Sequence, residues 1–314
     1  MAPNSLPSNL NRALMNLFVG MCKGVVGLPR HLRNLGYGSK WIELRFANAD
    51  NEQVVPELIV ASRQIDHTIL FEWKGGPNTE ADQLRRYSRV TTADLRERAY
   101  LAPEETGRHD VAVIGLQEYA DRFVMGIQQG GYTFPVLLAS DDGIAIHRNR
   151  FVPNEVDAVF RPLLAIDWGK IPYYLFPVDA DSELWEFAEL VIPKVLEMMG
   201  SGETRILSRD LEETIPCWSI APGEYQRRLK TKMYEVMGHA CGRQFRSYLR
   251  ENRDQGARQR LQRHWDIISN PLAGSSDKRH KEWKQMTSRY KQFLEFMKTG
   301  RTVPVQEVLD LRPE

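Results

Sequence analysis

The stretch PELIVASRQIDHTILFEWKGG, residues 56–76, consists of two apolar runs on either side of a short polar turn. Both runs, 56–63 and 67–74, are rich in β-branched and aromatic residues, which is typical of strands. The turn between them is centred on Ile65-Asp66, and a Gly-Gly pair ends the second run. The stretch therefore predicts an antiparallel hairpin, around which the rest of the sheet is arranged.

Charged side chains gather at the open end of the predicted hairpin. With the turn centred as above, Glu57 lies across from Lys74, and Ile59 lies across from Glu72. Side chains alternate between the two faces of a strand, so these four residues share one face. Diagonal neighbours on paired strands lie about 7–8 Å apart, and a divalent ion fits between two carboxylates at that spacing. The alternative is an exposed ion-pair ladder, which contributes only about 0–1 kcal/mol to stability.

Segments on both sides of the hairpin continue the pattern of strands and helices. In chain order they are a helix over 8–26, a strand over 40–47, the hairpin itself, a helix capped by Thr79 that continues into the nineties, a strand over 110–117, a helix over 118–129, and two strands over 134–140 and 143–148. Antiparallel hairpins mixed with crossover helices are typical of α/β proteins. We therefore predict an α/β fold with a mixed sheet flanked by helices.

Two polar residues of the helix after the hairpin fall on one helical face. Gln83 and Tyr87 are four residues apart, and residues at this spacing are neighbours on a helix surface. Because the helix starts just past the open end of the hairpin, it can fold back and place both side chains beside the carboxylates. The alternative is a helix face that only packs on the sheet.

The hairpin carries a resemblance to a known family. Pro56-Glu57, followed after fourteen residues by Glu72-Trp73-Lys74, resembles the motif of the PD-(D/E)xK nuclease superfamily. The resemblance implies that Glu57, Glu72 and the Trp73 carbonyl bind Mg²⁺ or Mn²⁺, hard ions that prefer such oxygen ligands. The metal would polarise the scissile phosphate, and Lys74 would orient a water and stabilise developing charge. Glu57 departs from the pattern, because aspartate is usual at its position.

The helix adds a second likeness. Gln83-x-x-x-Tyr87 resembles the additional motif of the RecB-like branch of the superfamily. Both residues would position the nucleic-acid backbone or help to hold Lys74, which makes them candidate catalytic residues. The order of predicted elements also matches the superfamily's restriction-endonuclease-like core. The resemblance covers residues 8–148 and does not extend into the C-terminal half.

The C-terminal half differs in charge and in pattern. Between residues 227 and 301 the sequence has 19 Lys and Arg against 7 Asp and Glu, although the whole chain has a net charge of only +1. We predict two domains, a nuclease-like domain over 1–160 and a basic, mainly helical domain over 161–314. The segment 206–238 has the length of a helix-turn-helix or winged-helix pair, which would read nucleic acid or dock a partner protein.

A long helix is predicted from Gly242 to Trp265. Its candidate nucleic-acid-binding residues share one face at spacings of three, four, three and seven, and they are Arg243, Arg246, Arg250, Arg253 and Arg260. Like charges on one stripe repel each other, so the pattern favours phosphates as partners. The alternative is packing against an acidic surface of the first domain.

Composition limits where and with what the protein acts. Three widely spaced cysteines, Cys22, Cys217 and Cys241, fit a reducing cytoplasm, and the apolar run 13–22 is too short to span a membrane. No GxxxxGK[ST] motif occurs, so a motor would come from a separate ATPase or helicase.

The sequence therefore predicts a metal-dependent DNA nuclease in the cytoplasm. RNA is an alternative substrate, and cutting of both strands of a duplex would call for a dimer or a partner. Anti-phage defence or another DNA-processing system is the expected setting, by analogy with the superfamily. The alternative function is a catalytically silent nuclease fold that binds nucleic acid or assembles a complex.

Overall fold

The computed structural model describes residues 5–76, 80–179, 181–253, 263–270 and 276–301. These residues form two compact units. The first runs to Phe176 and also holds Ser219–Pro222, and the second comprises Pro177–Trp218 and the chain from Gly223 onward. The first unit extends beyond the predicted boundary at residue 160, because a short strand over Leu164–Ala165 joins its sheet.

A seven-stranded sheet forms the framework of the first unit. Its strands, together with a separate two-stranded ribbon, are β1 (Tyr37–Ile42), β2 (Phe46–Ala47), β3 (Gln53–Val54), β4 (Leu58–Ser62), β5 (His67–Lys74), β6 (Arg108–Leu116), β7 (Val136–Ser140), β8 (Gly143–Arg148) and β9 (Leu164–Ala165). The order in the sheet is β1-β4-β5-β6-β7-β8-β9, and β2 pairs with β3. The β5-β6 and β6-β7 pairs are parallel, whereas the other pairs are antiparallel. The predicted mixed sheet is therefore confirmed.

Helices cover both faces of this sheet. They are α1 (Leu10–Lys23), α2 (His31–Asn34), α3 (Ala81–Ser88), α4 (Thr92–Glu97), α5 (Ala120–Gln129) and α6 (Asn154–Phe160). On one face Phe18 of α1 packs on Phe71 and Trp73, with ring centroids 4.3 and 6.4 Å apart. On the other face Ile59 and Leu70 belong to a core that includes residues of α3, α4 and α5. Burial on both faces explains why β5 is a nearly continuous apolar run.

The register of the hairpin differs from the prediction by two residues. Ile59 pairs with Leu70, and Ser62 pairs with His67, so four residues connect the strands. The predicted turn centre was one residue too far along the chain, which moves each partner by two. Because side chains alternate with period two, this error leaves the faces unchanged. The prediction that Glu72 shares a face with Ile59 is therefore confirmed. The prediction that these two residues lie directly across from each other was wrong.

Two predicted elements are divided in the structure. The strand predicted over 40–47 breaks at Glu43, which has a left-handed φ of 44° and separates β1 from β2. The helix predicted to continue into the nineties is two helices, because Thr91 starts α4 with a reciprocal cap to Asp94. The proposed cap Thr79 lies outside the described residues.

The second unit is mainly helical, as predicted, and adds a small sheet. Its elements are α7 (Leu184–Gly200), β10 (Arg205–Leu207), α8 (Ser208–Glu212), α9 (Gly223–Gly242), β11 (Leu249–Arg253), β12 (Arg263–Ile267) and α10 (Ser276–Thr299). The three strands are antiparallel in the order β10-β12-β11. A helix pair followed by a hairpin is the element order of a winged-helix unit. The interpretation of 206–238 as a helix-turn-helix or winged-helix pair stays a prediction.

The long helix predicted from Gly242 to Trp265 was wrong. The helix α9 ends at Gly242, a turn follows, and β11 and β12 form in place of the remaining helix. The predicted arginine stripe is therefore absent as a single helical face: the turn holds Arg243 and Arg246, β11 holds Arg250 and Arg253, and Arg260 lies outside the described residues.

None of the helices in the described ranges combines the length and the apolar character that crossing a membrane would require.

Candidate active site

The candidate site lies at the carboxyl end of β5. This strand lies between antiparallel β4 and parallel β6, and β6 is in turn parallel to β7. Glu72 and Lys74 are the last residues of β5 on the face that α3 covers. Carboxyl ends of adjacent parallel strands meet at one edge, which is where open α/β sheets bind ligands. The sheet thus brings two charged side chains to the edge where a ligand is expected.

Four polar side chains form one closed network at this edge. Lys74 Nζ lies 2.9 Å from Glu72 Oε1, and it also donates a hydrogen bond to Gln83 Oε1. Gln83 Nε2 donates to Glu72 Oε1 at 2.9 Å. Tyr87 Oη donates to Glu72 Oε2 at 2.7 Å. The structure therefore brings together four of the five residues predicted to be catalytic, and the predicted helix face of Gln83 and Tyr87 meets the carboxylate.

Burial distinguishes this network from a surface ion pair. Glu72 is 2% exposed, and the Lys74 side chain is 17% exposed. A buried carboxylate is tolerated only when it is paired and hydrogen-bonded, and Glu72 has three donors. The exposed ion-pair ladder considered from the sequence is therefore not what the hairpin forms.

The hydrogen bonds leave one position open on the carboxylate. Each carboxylate oxygen has two lone pairs. Glu72 Oε1 accepts from both Lys74 and Gln83, whereas Oε2 accepts only from Tyr87 among the described partners. Among the described residues, one lone pair of Oε2 therefore has no donor, and it is the position at which a cation could bind.

Tyr87 is held in its protonated form. Burial raises its pKa well above the ordinary value of 10.0, and the charge of Glu72, the hydrogen bond to Glu72 and the charge of Glu57 raise the pKa further. The hydroxyl therefore remains a donor at neutral pH, and it fixes the orientation of the Glu72 carboxylate.

Replacing Tyr87 with phenylalanine is expected to lower the free energy of unfolding by about 1–3 kcal/mol at pH 8, because Glu72 loses a buried donor. In the wild type, the unfolded chain releases the Tyr87 proton near pH 10 while the folded protein retains it. Stability contributed by the protonated hydroxyl is thus present below pH 10 and lost as the pH rises further. Urea titrations at pH 8 and 11 should show the gap between the two proteins narrowing at pH 11.

Tyr174→Phe is the control for that measurement, because Tyr174 is 62% exposed. Its unfolding free energy should match that of the wild type at both pH values. A gap for Tyr87→Phe that stays constant or widens at pH 11 would contradict the assignment of the raised pKa to Tyr87.

The remaining two predicted metal ligands lie next to the network. Glu57 immediately precedes β4, and its backbone N–H donates to the Phe71 carbonyl at 3.0 Å. Its charge contributes to the raised pKa of Tyr87, so its carboxylate acts electrostatically on the same site. The Trp73 side chain points to the opposite face, against Phe18, and its backbone pairs with β6.

The donor set fits a hard cation held partly by water. Within the described residues, no group of three or more His, Cys, Asp and Glu side chains is arranged to hold a metal ion. The resemblance implies a smaller set, namely two carboxylates and one backbone carbonyl. Mg²⁺ typically keeps several waters and binds only one or two protein carboxylates. The open lone pair on Glu72 Oε2 is compatible with that mode.

A cavity of about 900 Å³ opens at the same edge of the sheet. Its lining combines the residues that follow β5 and β6, the end of β7 and the segment before α1, including Gly75, Gln117, Asp141 and Asn9. Gly75 immediately follows Lys74 in the sequence, but none of the four network residues lines the cavity. The sequence did not predict this cavity, because its walls come from four separate segments.

A second polar network, also unpredicted, lies at the opposite end of β5. His67 Nδ1 is 2.5 Å from Tyr37 Oη, and His67 Nε2 is 3.0 Å from Asp110 Oδ2. The Val152 N–H donates to the same Asp110 oxygen at 2.8 Å. All three side chains are at most 7% exposed. We assign this network to the stability of the sheet, because a substrate has no access to it.

The class of protein defined by this geometry is an α/β protein with a buried Glu-Lys-Gln-Tyr network at the end of a parallel strand. A model of the MJECL32 domain matches residues 11–167, which is half of the chain. The protein therefore belongs to the MJECL32-domain family. The matched segment contains all seven strands of the sheet and all four residues of the network. No curated protein and no solved structure matches the chain.

Proposed function

We propose that the first unit is a divalent-metal-dependent nuclease that hydrolyses phosphodiester bonds of DNA. The observation that carries the proposal is the buried network of Glu72, Lys74, Gln83 and Tyr87 at the carboxyl edge of the parallel strands. Buried ion pairs contribute little net stability compared with apolar side chains of the same size. A buried network of this kind at the carboxyl end of a parallel strand is therefore better explained by chemistry than by stability.

The proposed site residues divide into two roles. Glu57, Glu72 and the Trp73 carbonyl would hold Mg²⁺ or Mn²⁺, which supplies charge stabilisation at the phosphate and a more acidic bound water. Lys74 would donate to the oxygen on which negative charge develops.

The other members of the network position these groups. Gln83 contacts both charged residues, so it fixes the distance between the Lys74 ammonium and the Glu72 carboxylate. Tyr87 holds the second carboxylate oxygen. Both side chains extend from α3, a single helix, and rigid elements of this kind hold a site more precisely than loops do.

The proposed setting follows from the superfamily resemblance. A separate ATPase or helicase would supply a motor, and the system would be anti-phage defence or another form of DNA processing in the cytoplasm. A homodimer would let two active sites cut both strands of a duplex. RNA is the alternative substrate.

Metal dependence is the direct test of the proposal. The protein is incubated with plasmid, linear single- and double-stranded DNA and RNA, in Mg²⁺, Mn²⁺ or EDTA. Cleavage is expected with either metal and should disappear in EDTA and in Glu72→Gln. Glu104→Gln is the control, because Glu104 is an exposed acid of the same unit. Cleavage that persists in EDTA, or that is unchanged in Glu72→Gln, would refute the nuclease proposal.

The second proposed function is a silent nuclease fold that binds nucleic acid or assembles a complex. The observation that favours it is the direct contact of Lys74 Nζ with Glu72 Oε1 at 2.9 Å, which occupies part of the carboxylate. Binding of DNA without cutting under every metal condition would support this function over the first.

A further inference from the structure

The second unit contains a basic pocket at the C-terminal end of α9. Its volume is about 510 Å³, within the range of small-ligand sites. The residues that line it come from the end of α9, the turn after it and α10, and they are Gly238, His239, Gly242, Arg243, Gln244, Arg246 and Arg289. Aspartate and glutamate are absent from this lining.

The three arginines of the pocket lack acidic partners. Within the described parts of the chain, Arg243, Arg246 and Arg289 form no ion pair, although most other arginines of the second unit do. The C-terminal end of α9 carries only about half a negative charge from its dipole. That partial charge does not balance three guanidinium groups, so the pocket retains a net positive charge.

Two of these guanidinium groups are held in place. The Arg243 guanidinium carbon lies 4.0 Å from the centroid of the Phe296 ring, and that of Arg289 lies 5.3 Å from the Tyr248 ring. Arg289 also donates to the Gln244 carbonyl at 3.3 Å. Cation–π stacking of this kind fixes the plane of a guanidinium and leaves its edge available to a ligand. The pocket is thus preorganised for an anion.

The Gln244 side chain adds an unmatched polar group. Its Oε1 is buried and has no hydrogen-bond partner among the described residues. Buried polar atoms nearly always have a partner, so this amide is the kind of group that a bound ligand or its water completes. Because this oxygen is an acceptor, a water would have to bridge it to a phosphate oxygen.

We propose that this pocket binds a phosphate group of a nucleic-acid strand. Guanidinium groups form paired, parallel hydrogen bonds with phosphate oxygens, and three of them converge here. The surrounding chain, residues 227–301, has 19 basic against 7 acidic residues, which favours a polyanion over an isolated phosphate. A free nucleotide offers the same phosphate chemistry and is the other source to be tested.

This site is independent of the proposed nuclease activity. Binding is measured in EDTA, by fluorescence anisotropy of labelled single- and double-stranded oligonucleotides over a range of salt concentrations. Loss of binding in this assay is therefore distinguishable from loss of cleavage.

Arg246→Glu is the principal variant, because Arg246 is an exposed residue that lines the pocket. We expect affinity to fall at least about tenfold, and the salt dependence of log K to become shallower by about 1. The matched control is Lys284→Glu, which reverses one exposed charge on α10 outside the pocket. It should change affinity less than about threefold, as expected for an exposed charge that salt screens and that makes no direct phosphate contact.

A second variant and two competitors also test the pocket. Arg289→Lys keeps the charge but removes the planar guanidinium, and it should weaken binding between these two limits. Equal effects of Arg246→Glu and Lys284→Glu, or unchanged binding in Arg246→Glu, would overturn the pocket. Inorganic phosphate and a mononucleotide serve as competitors. If a mononucleotide displaces the oligonucleotide completely at an equimolar concentration, the ligand is a free nucleotide, and the nucleic-acid assignment is overturned.

Discussion

Replacement of Lys74 with methionine is expected to lower the rate of DNA cleavage by about 10²–10³-fold, the usual cost of removing one donor to developing charge. The methionine keeps most of the side-chain volume, so the end of β5 should keep its packing. Single-turnover cleavage at saturating Mg²⁺ measures this rate. DNA affinity in EDTA should change little, because Lys74 is 17% exposed and largely engaged by Glu72 and Gln83.

Two companion variants separate chemistry from structure. Gln83→Ala removes a side chain that positions Lys74 but does not itself contact the negative charge that develops on the phosphate. It should therefore lower the rate by a smaller factor of about 10–100. Lys170→Met is the control, since Lys170 is also ion-paired, to Asp167, but its side chain is 78% exposed. A rate in Lys74→Met within about threefold of that in Lys170→Met would exclude the proposed role of Lys74.

Replacement of His67 with leucine is expected to lower the free energy of unfolding by about 3–5 kcal/mol, because it leaves a buried Asp110 carboxylate with one backbone donor. The hydroxyl of Tyr37 would also lose its partner. Urea or thermal unfolding measures this loss. His147→Leu is the control, because His147 is exposed on β8, and it should change stability by less than about 0.5 kcal/mol.

A double variant tests the cause of that loss. Removing both partners of a buried polar pair is less harmful than removing one, because no charge is left unpaired. His67→Leu with Asp110→Leu should therefore be more stable than the sum of the two single effects predicts. Additive losses would indicate that the side chains act through packing volume and not as a pair.

Local sequence patterns predicted the features that depend only on residues close together in the sequence. The β-branched and aromatic run 67–74 gave β5 at its observed bounds, and the alternation of side chains along a strand placed Glu72 on the correct face. The spacing of four between Gln83 and Tyr87 gave the helix face that meets this carboxylate. These signals are available in sequence because a strand or a helix repeats its geometry within a few residues.

The errors arose where one pattern fits two structures. The hairpin register depends on the number of residues in the turn, and composition does not distinguish a two-residue from a four-residue connection. The arginine spacing after Gly242 predicted a helix, but residues 249–253 instead form β11, which pairs with β12. Tertiary pairing of this kind overrides local propensity.

Features assembled from distant segments were not predictable from local patterns. The His67 network joins side chains from three strands, namely β1, β5 and β6. The basic pocket joins Arg289 of α10 to the turn after α9. Neither has a characteristic spacing in the sequence. Each depends on how separate elements pack, which one sequence without its fold does not determine.

The alternation along β5 couples the apolar core to the charged edge. Phe71 and Trp73 insert against Phe18 of α1, while Glu72 between them faces α3. A slip of one residue would turn the acid towards α1 and the two rings towards α3, so aromatic packing on one face fixes the orientation of the carboxylate on the other. A mutation under α1 can thus impair the polar centre through strand alignment alone, although it touches none of that centre's atoms.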